Sequence, residues 1–283
     1  QLGSSSGWAG RVAFTQWIVL ALLQAFAEVL PIGASAHFSW LNLWIGLPAA
    51  GPFAGDNPAL AMGVRLGLVA GSAAYFWRDV ADMLEGLIRF AKGKSHPGAR
   101  LAFQLVVAAL PSIALALALQ RFWGTDWKSP ALTAWCMIGI GALMLLFDKT
   151  CMTVKRIEHA GYVDALLLGC AQAAAFVPGV GRIAASVALA RMLGYERRDA
   201  ARFAFLIWMP ILVGSCAWHA TALIAAKPFP TAELLVGFAP AFVATLALIS
   251  FLMVWLRRRA FTPFAVYRLL VGVNLLIVVY DLI

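Results

Sequence analysis

The residue with the clearest chemical meaning in this sequence is Glu28, a carboxylate deep inside an apolar run. The other 12 of the 13 acidic residues fall in loops or near the ends of apolar segments. A carboxylate at the centre of a membrane costs ~2.5–3.5 kcal/mol, so it requires a cation, a metal ion or a proton. We therefore interpret Glu28 as a site residue and tentative metal ligand. A protonated carboxyl hydrogen-bonded inside the bundle is the alternative.

A histidine and a serine follow Glu28 across a break in the apolar run at Pro31–Gly33. The break is expected to fold the chain back, so that His37 could meet Glu28 at the tip. An imidazole beside a carboxylate suits proton transfer or nucleophilic attack. A packed or interfacial histidine is the alternative. Ser35 is placed to cap the following half-helix, and we also assign it to substrate binding.

An arginine follows a second break, Pro178-Gly179-Val180-Gly181. The glycines let backbone N–H groups turn toward a ligand, and a half-helix begins behind them. Together with the guanidinium of Arg182, they would form a cradle for an oxyanion or a phosphate. An ion pair between Arg182 and Glu28 is a second interpretation, compatible with the first. We assign Gly179 and Gly181 to substrate binding.

Four further polar residues lie inside apolar segments. Gln24 and Gln172 are predicted to orient a carboxylate or a phosphate, with helix packing as an equal alternative. Arg65 and Arg268 lie about two helical turns inside predicted spans, where snorkelling to headgroups is an alternative for each. Of these two, Arg65 is assigned to substrate binding.

The composition requires that these residues be positioned by membrane helices. Of 283 residues, 63% are hydrophobic and 12% are charged. A soluble domain has about 45–50% apolar residues, and its core could not absorb this excess. The net charge of +9 indicates cytoplasmic loops and anionic headgroups rather than nucleic acid, because no basic-aromatic binding module is visible.

The segment lengths predict an all-α integral membrane protein with six transmembrane helices and two re-entrant hairpins. A span requires ~20 apolar residues. Six segments qualify: 58–78, 100–121, 130–149, 203–225, 231–256 and 262–282. The apolar stretches 14–48 and 161–194 are broken by Pro and Gly, so we predict hairpins surrounded by protein or a water-filled cavity. Residues 79–92 predict an amphipathic interfacial helix.

The two breaks resemble each other, and three spans follow each. An odd number of spans inverts the second copy, so we predict an inverted repeat with a binding site near the midplane. The predicted units are a flexible tail or expression remnant at 1–10, a first repeat at 11–156 and a second at 157–283.

The basic residues predict the orientation in the membrane. Fifteen lie on one predicted face and four on the other, so the first face should be cytoplasmic. Both termini and the first hairpin would then enter from the outside. The second hairpin would enter from the cytoplasm.

The segments 24–37 and 178–184 resemble the bacitracin-resistance type of undecaprenyl-diphosphate phosphatase. That family reads E-G-x-x-E-F-L-P-x-S-S-T-G-H in its first hairpin and P-G-x-S-R-S-G in its second. Segments 65–78, 203–210 and 262–268 extend the likeness over nearly the whole chain. The resemblance implies an inverted-repeat membrane fold, removal of the terminal phosphate of undecaprenyl diphosphate, and a divalent cation such as Mg²⁺ or Ca²⁺. It implies site roles for Glu28, His37 and Arg182.

Several motif positions carry other residues. Gln24 replaces an acidic residue, and the family tends to carry Gln where Arg65 stands. Four hydroxyl positions are lost in this sequence, at Gly33, Ala34, Gly181 and Ile183.

Three functions therefore remain open. The first is a divergent phosphatase in which His37 is nucleophile or base, Glu28 its partner and Arg182 the phosphate clamp. The second is a non-hydrolytic binder or flippase of a polyprenyl phosphate or phospholipid. The third is an accessory subunit. A homodimer or a larger membrane complex is compatible with each.

Overall fold

The computed structural model describes residues 14–45, 57–122, 129–225 and 229–280, and every regular element within those ranges is helical. The tail predicted at 1–10 lies outside the described residues. The α-helices are α1 (Phe14–Val29), α2 (Ala34–Ile45), α3 (Pro58–Tyr75), α4 (Trp77–Ala91), α5 (Pro97–Phe122), α6 (Pro130–Thr150), α7 (Tyr162–Ala173), α8 (Arg182–Met192), α9 (Arg197–Ala225), α10 (Thr231–Trp255) and α11 (Thr262–Val279). The all-α membrane fold predicted from composition is confirmed.

Five helices are long and apolar enough to cross a membrane: α5, α6, α9, α10 and α11. The span predicted at 58–78 differs from the other five. It ends at Tyr75, and it qualifies as a span only together with α4, from which it is bent by 84°. Within the described residues, this multi-pass membrane protein therefore has five candidate spans, or six if the bent pair counts as one.

The helix α4 has the features predicted for an interfacial helix. It is strongly amphipathic, and its Gly86 packs so closely on α5 that an added Cβ would lie 2.2 Å from the amide nitrogen of Ala99. Large apolar side chains such as Ile88 and Phe90 are exposed on it beside charged ones such as Glu85. A helix turned sharply from a span with an exposed apolar face suits the headgroup region.

A repeat of small residues brings α3 against α10. Gly63, Gly67 and Gly71 lie four residues apart on α3, and a Cβ at Gly63 would lie 2.2 Å from the carbonyl oxygen of Leu234. Small residues at this spacing let membrane helices approach closely. This packing fixes α3, and with it Arg65, against α10.

The two predicted breaks are both present. Residues 30–33 separate α1 from α2, and a 3₁₀ turn (Ala174–Phe176) and residues 177–181 separate α7 from α8. At the base of the second hairpin, Tyr195 after α8 donates a 2.7 Å hydrogen bond from its hydroxyl to Asp164 in the first turn of α7. The two arms of this hairpin therefore return to the same end of the bundle.

Ion pairs join several helix ends at that end. Arg202 in α9 pairs with Asp79 of α4. Asp148 near the end of α6 accepts hydrogen bonds from Nε of Arg191, at 3.0 Å, and from Nε of Arg197, at 2.7 Å. Asp148 and Arg191 are both almost fully buried. The loops predicted to form the basic face thus meet at one end.

The tip of the second hairpin lies far from the basic end. A Cβ on Gly179 would lie 2.1 Å from the carbonyl oxygen of Thr133, whereas Arg191 at the hairpin base contacts Asp148. Thr133 and Asp148 are separated by fifteen residues of α6, or about 22 Å at 1.5 Å per residue. The tip therefore approaches the opposite end of the bundle.

The contacts between the halves have a reciprocal pattern. The first arm of each hairpin packs on a span of the other half, α1 on α10 and α7 on α5. An inverted repeat is expected to pack the hairpin of each half on a span of the other half. The repeat itself, and its boundary between residues 156 and 157, stay predictions.

Candidate functional site

The predicted acidic and basic site residues meet at the hairpin tips. Glu28 lies in the last turn of α1, and Arg182 is the first residue of α8. The Nη1 atom of Arg182 is 3.8 Å from Oε2 of Glu28. Gln24, one turn earlier on α1, donates a hydrogen bond from Nε2 to Oε1 of Glu28 at 3.1 Å. Both charged side chains remain partly accessible, so the ion pair faces open space rather than the core.

Glu28 and Arg182 line two adjacent pockets. The first has about 430 Å³ of empty space and lies between the hairpin tips. The second has about 620 Å³, lies toward α3 and α9, and is lined in part by Arg65 and Gln24. Its remaining wall is largely apolar: Ala61, Val64, Leu68, Ile211, Leu212 and Ser215. The Glu28–Arg182 pair thus stands between a smaller space at the hairpin tips and a larger one whose wall includes apolar side chains of α3 and α9.

Two helix N-termini border the first pocket. Gly33 and Ala34 at the start of α2 line it, as do Gly181 and Arg182 at the start of α8. Gly181 has a φ of +74°, which favours glycine and turns the chain into α8. Helix N-termini present unpaired N–H groups and the positive end of the helix dipole, so they favour an anion in this pocket.

Ser35 joins the two hairpins instead of capping its own helix. The helix α2 already begins at Ala34, so Ser35 lies inside the first turn. Its Oγ accepts a 2.7 Å hydrogen bond from the backbone N–H of Gly179. Among the residues that line the first pocket in the described part of the chain, Ser35 carries the single hydroxyl. Its hydroxyl proton is available to a ligand, whereas the N–H of Gly179 is already engaged.

His37 lies apart from Glu28. Its Nδ1 is 2.8 Å from the carbonyl oxygen of Gly33, and its Nε2 is 2.8 Å from the hydroxyl of Tyr267, whose ring stacks on the imidazole. His37 lines neither pocket. The turn places its side chain on the α11 side of α2, so the expected contact with Glu28 is not formed.

The two glutamines have different surroundings. Gln24 contacts Glu28, but Gln172 is buried and donates from Nε2 to the carbonyl oxygen of Ala204 on α9, at 2.8 Å. Gln172 lines neither pocket, because its face of α7 packs against α9.

Arg268 is a residue that the sequence reasoning left out of the site. Its side chain is fully buried, so it does not snorkel to headgroups. Its Nη2 donates hydrogen bonds to the carbonyl oxygens of Gly179, at 2.6 Å, and Val180, at 2.9 Å. Its position inside an apolar span was the available signal.

The protein donors alone do not suffice for a divalent cation. Among the described residues, no group of three His, Cys, Asp or Glu side chains is placed to hold a metal ion. Among the described residues, Glu28 is the one carboxylate lining either pocket, and two arginines stand near it. Mg²⁺ is often held through one or two carboxylates with substrate phosphates and water. Glu28 fits that limited role once a phosphate is bound.

Comparison with known proteins identifies the family of this chain. A family model described as bacitracin resistance protein BacA matches residues 17–274. The chain belongs to this family. It is 41% identical over 268 residues to undecaprenyl-diphosphatase 1 of Rhodospirillum rubrum, covering 94% of this chain and 95% of the relative.

Two further relatives have similar coverage. Undecaprenyl-diphosphatase 1 of Paramagnetospirillum magneticum is 35% identical over 280 residues, covering 95% of this chain and 98% of the relative. Undecaprenyl-diphosphatase of Ruegeria pomeroyi is 35% identical over 268 residues, covering 93% and 98%. The family resemblance inferred from the hairpin motifs is confirmed, and it extends over nearly the whole of this BacA-family chain.

Proposed function

We propose that this chain binds a polyprenyl diphosphate at the hairpin tips and removes its terminal phosphate. The observation that carries the proposal is the Glu28–Arg182 pair, shared by two pockets and bordered by two helix N-termini. Relatives named undecaprenyl-diphosphatase over almost the full chain support the same reaction class.

The two pockets suit the two parts of such a lipid. The terminal phosphate occupies the first pocket, where Arg182 and the N-terminal amides of α2 and α8 face it. The second phosphate lies toward Arg65, and the prenyl chain leaves along apolar residues such as Val64 and Leu212. This arrangement separates the charged head from the hydrocarbon chain.

In the hydrolytic step, a water molecule attacks the terminal phosphorus, and the bond to the bridging oxygen breaks. The products are polyprenyl monophosphate and inorganic phosphate. Glu28 accepts the proton of the attacking water, while Arg182 and the hydroxyl of Ser35 donate hydrogen bonds to the phosphate oxygens. A divalent cation such as Mg²⁺ or Ca²⁺, held by Glu28 and the diphosphate, would supply further charge neutralisation.

The geometry favours Glu28 over His37 as the base. For His37 to act as nucleophile or base, its Nε2 would have to leave the hydroxyl of Tyr267 and reach the first pocket. To act as the base, His37 must therefore first break its hydrogen bond to Tyr267, whereas Glu28 already lines the pocket.

A non-hydrolytic binder or flippase is the second candidate, and the pocket wall favours it in one respect. Gly33, Ala34, Gly181 and Ile183 all line the first pocket without offering a hydroxyl. Each missing donor to a transition-state phosphate costs ~2.7–4 kcal/mol. Binding would suffer less than hydrolysis, because fewer interactions are required in the ground state.

The membrane orientation is part of the proposal. We place the basic end on the cytoplasmic side of a bacterial inner membrane, with both termini in the periplasm. The hairpin tips, about 22 Å along α6 from Asp148, then lie nearer the outer face. Lipid phosphates on that leaflet would reach the pockets by a short path.

Phosphate release from undecaprenyl diphosphate by the purified protein tests the proposal, with and without Mg²⁺ or Ca²⁺. Glu28→Gln and Arg182→Ala should abolish release, and His37→Ala should reduce it less. Glu85→Gln, on an exposed face of α4, is the matched control. The wild-type protein failing to release phosphate above Arg182→Ala would rule out the phosphatase.

The same preparations distinguish the other candidates. Saturable lipid binding without release supports a binder, and lipid movement across proteoliposomes supports a flippase. An accessory subunit predicts neither binding nor release until a partner chain is added.

A further inference from the structure

Arg268 carries a buried charge without a counter-charge among the residues that the structure describes. Its side chain is fully buried, and Nη2 is engaged by two carbonyl oxygens. Nε and Nη1 have no hydrogen-bond partner, and no carboxylate in the described part of the chain pairs with it. Burying an ionised group without an opposite charge is strongly unfavourable. Packing alone does not explain why an ionised side chain is buried at this position.

The unpartnered nitrogen lies directly behind the wall of the first pocket. Nη1 is 3.0 Å from the Cβ position of Gly33 and 3.2 Å from that of Gly181. Both glycines line the pocket, and both have positive φ. Because neither has a side chain, only backbone separates the guanidinium from the space between the tips.

We propose that Arg268 is a positioning residue whose buried charge attracts a dianionic phosphate into the first pocket. The proposal rests on the proposed function in placing a phosphate there. Arg268 holds the turn at Gly179 and Val180 through Nη2, and its charge acts across the backbone of Gly33 and Gly181 without touching the ligand.

The charge count of the site supports this role. Glu28 contributes one negative charge, and Arg65, Arg182 and Arg268 contribute three positive ones, so the formal charge is +2. A terminal phosphate carries close to two negative charges at neutral pH. A low-dielectric surrounding screens such interactions weakly, so each charge has a large effect. The site therefore favours a terminal phosphate over a phosphodiester, which carries one charge.

Direct binding measurements test the proposal, with inorganic pyrophosphate and farnesyl diphosphate as probes on full-length protein in detergent. Arg268→Gln should bind both probes at least ~10-fold more weakly, whereas Arg268→Lys, which keeps the charge, should stay within ~3-fold of wild type. With undecaprenyl diphosphate, Arg268→Gln should raise KM more than it lowers kcat. A merely structural role predicts equal losses in the Gln and Lys variants.

A second pair of variants leaves Arg268 in place. The sulfur of Met137 lies 2.8 Å from the Cβ position of Gly33, on the same side as Nη1. Met137→Glu would supply a carboxylate partner, and Met137→Gln is its neutral control. The Glu variant should bind pyrophosphate about tenfold more weakly than the Gln variant. Equal affinities would overturn the proposal, as would wild-type affinity in Arg268→Gln.

These measurements distinguish a failure of this inference from a failure of the proposed phosphatase function. Wild-type protein that binds pyrophosphate with the expected Arg268 dependence, yet releases no phosphate, keeps this inference and removes the phosphatase. Wild-type protein that binds neither probe overturns both.

Discussion

Replacing Gly179 with alanine is expected to push the turn of the second hairpin away from α6. Gly179 has a φ of +89°, and a Cβ there would lie 2.1 Å from the carbonyl oxygen of Thr133 and 2.9 Å from its carbonyl carbon. The obstacle is helix backbone, so no side-chain rotation relieves it. The turn must move, and with it the hydrogen bonds of Gly179 to Ser35 and Arg268.

Two contributions determine how much stability Gly179→Ala should lose. A non-glycine residue in the left-handed region costs ~1–2 kcal/mol. Overpacking a close contact costs ~1–3 kcal/mol more. We therefore expect Gly179→Ala to lower the free energy of unfolding by ~2–5 kcal/mol.

Gly139→Ala is the matched control for this change. Gly139 is an exposed glycine of α6, and an added Cβ would meet nothing within 4 Å. Alanine in a helix interior is favoured over glycine by up to ~1 kcal/mol, so no loss of stability is expected.

Reversible unfolding in mixed micelles at a fixed detergent-to-lipid ratio measures both variants, together with phosphate release. The reasoning is refuted if Gly179→Ala unfolds at the same denaturant concentration as wild type and Gly139→Ala. Wild-type turnover in Gly179→Ala would refute the coupling between the tips and the site.

Three further changes have expected outcomes. Asp148→Asn leaves the buried guanidinium of Arg191 without its carboxylate and should cost ~3–5 kcal/mol in the same unfolding assay, whereas Glu85→Gln at an exposed pair should cost less than ~1 kcal/mol. Ser35→Ala removes the hydroxyl that Ser35 contributes to the first pocket wall and should lower kcat by ~10²-fold, with Ser35→Thr restoring part of the rate; an unchanged kcat would exclude its role. Arg65→Ala should raise KM for the diphosphate more than it lowers kcat, and a change confined to kcat would count against the second-phosphate position.

Much of the architecture could be predicted from local sequence. The length of apolar segments predicted five of the six spans, because crossing a membrane depends on length and hydropathy alone. The Pro and Gly residues at 31–33 and 178–181 predicted both helix breaks, since they act on the backbone where they stand. The sixth predicted span ends at Tyr75 and qualifies as a span only together with α4. The sequence did not predict the 84° bend between them, because the bend depends on how α4 packs against α5.

The sequence predicted some of the site residues but not their contacts, and the difference has a physical reason. Glu28 and Arg182 were identified because an ionised group inside an apolar run is costly wherever the chain folds. Their partners depend on helix rotation and on contacts between distant segments. The hydrogen bond from Gly179 to Ser35 joins residues 144 positions apart, and His37 turned toward Tyr267, 230 positions away.

By itself, the sequence determined that this protein spans a membrane, where its helices break, and which charges require compensation. The tertiary structure decided which of these charges are compensated: Glu28 pairs with Arg182, as one interpretation of the sequence allowed, whereas Arg268 is buried without a carboxylate among the described residues. It also decided that Gln172 donates its hydrogen bond to the backbone of α9. Hydropathy and backbone preference act residue by residue, whereas pairing of charges is fixed by the packing of helices far apart in the chain.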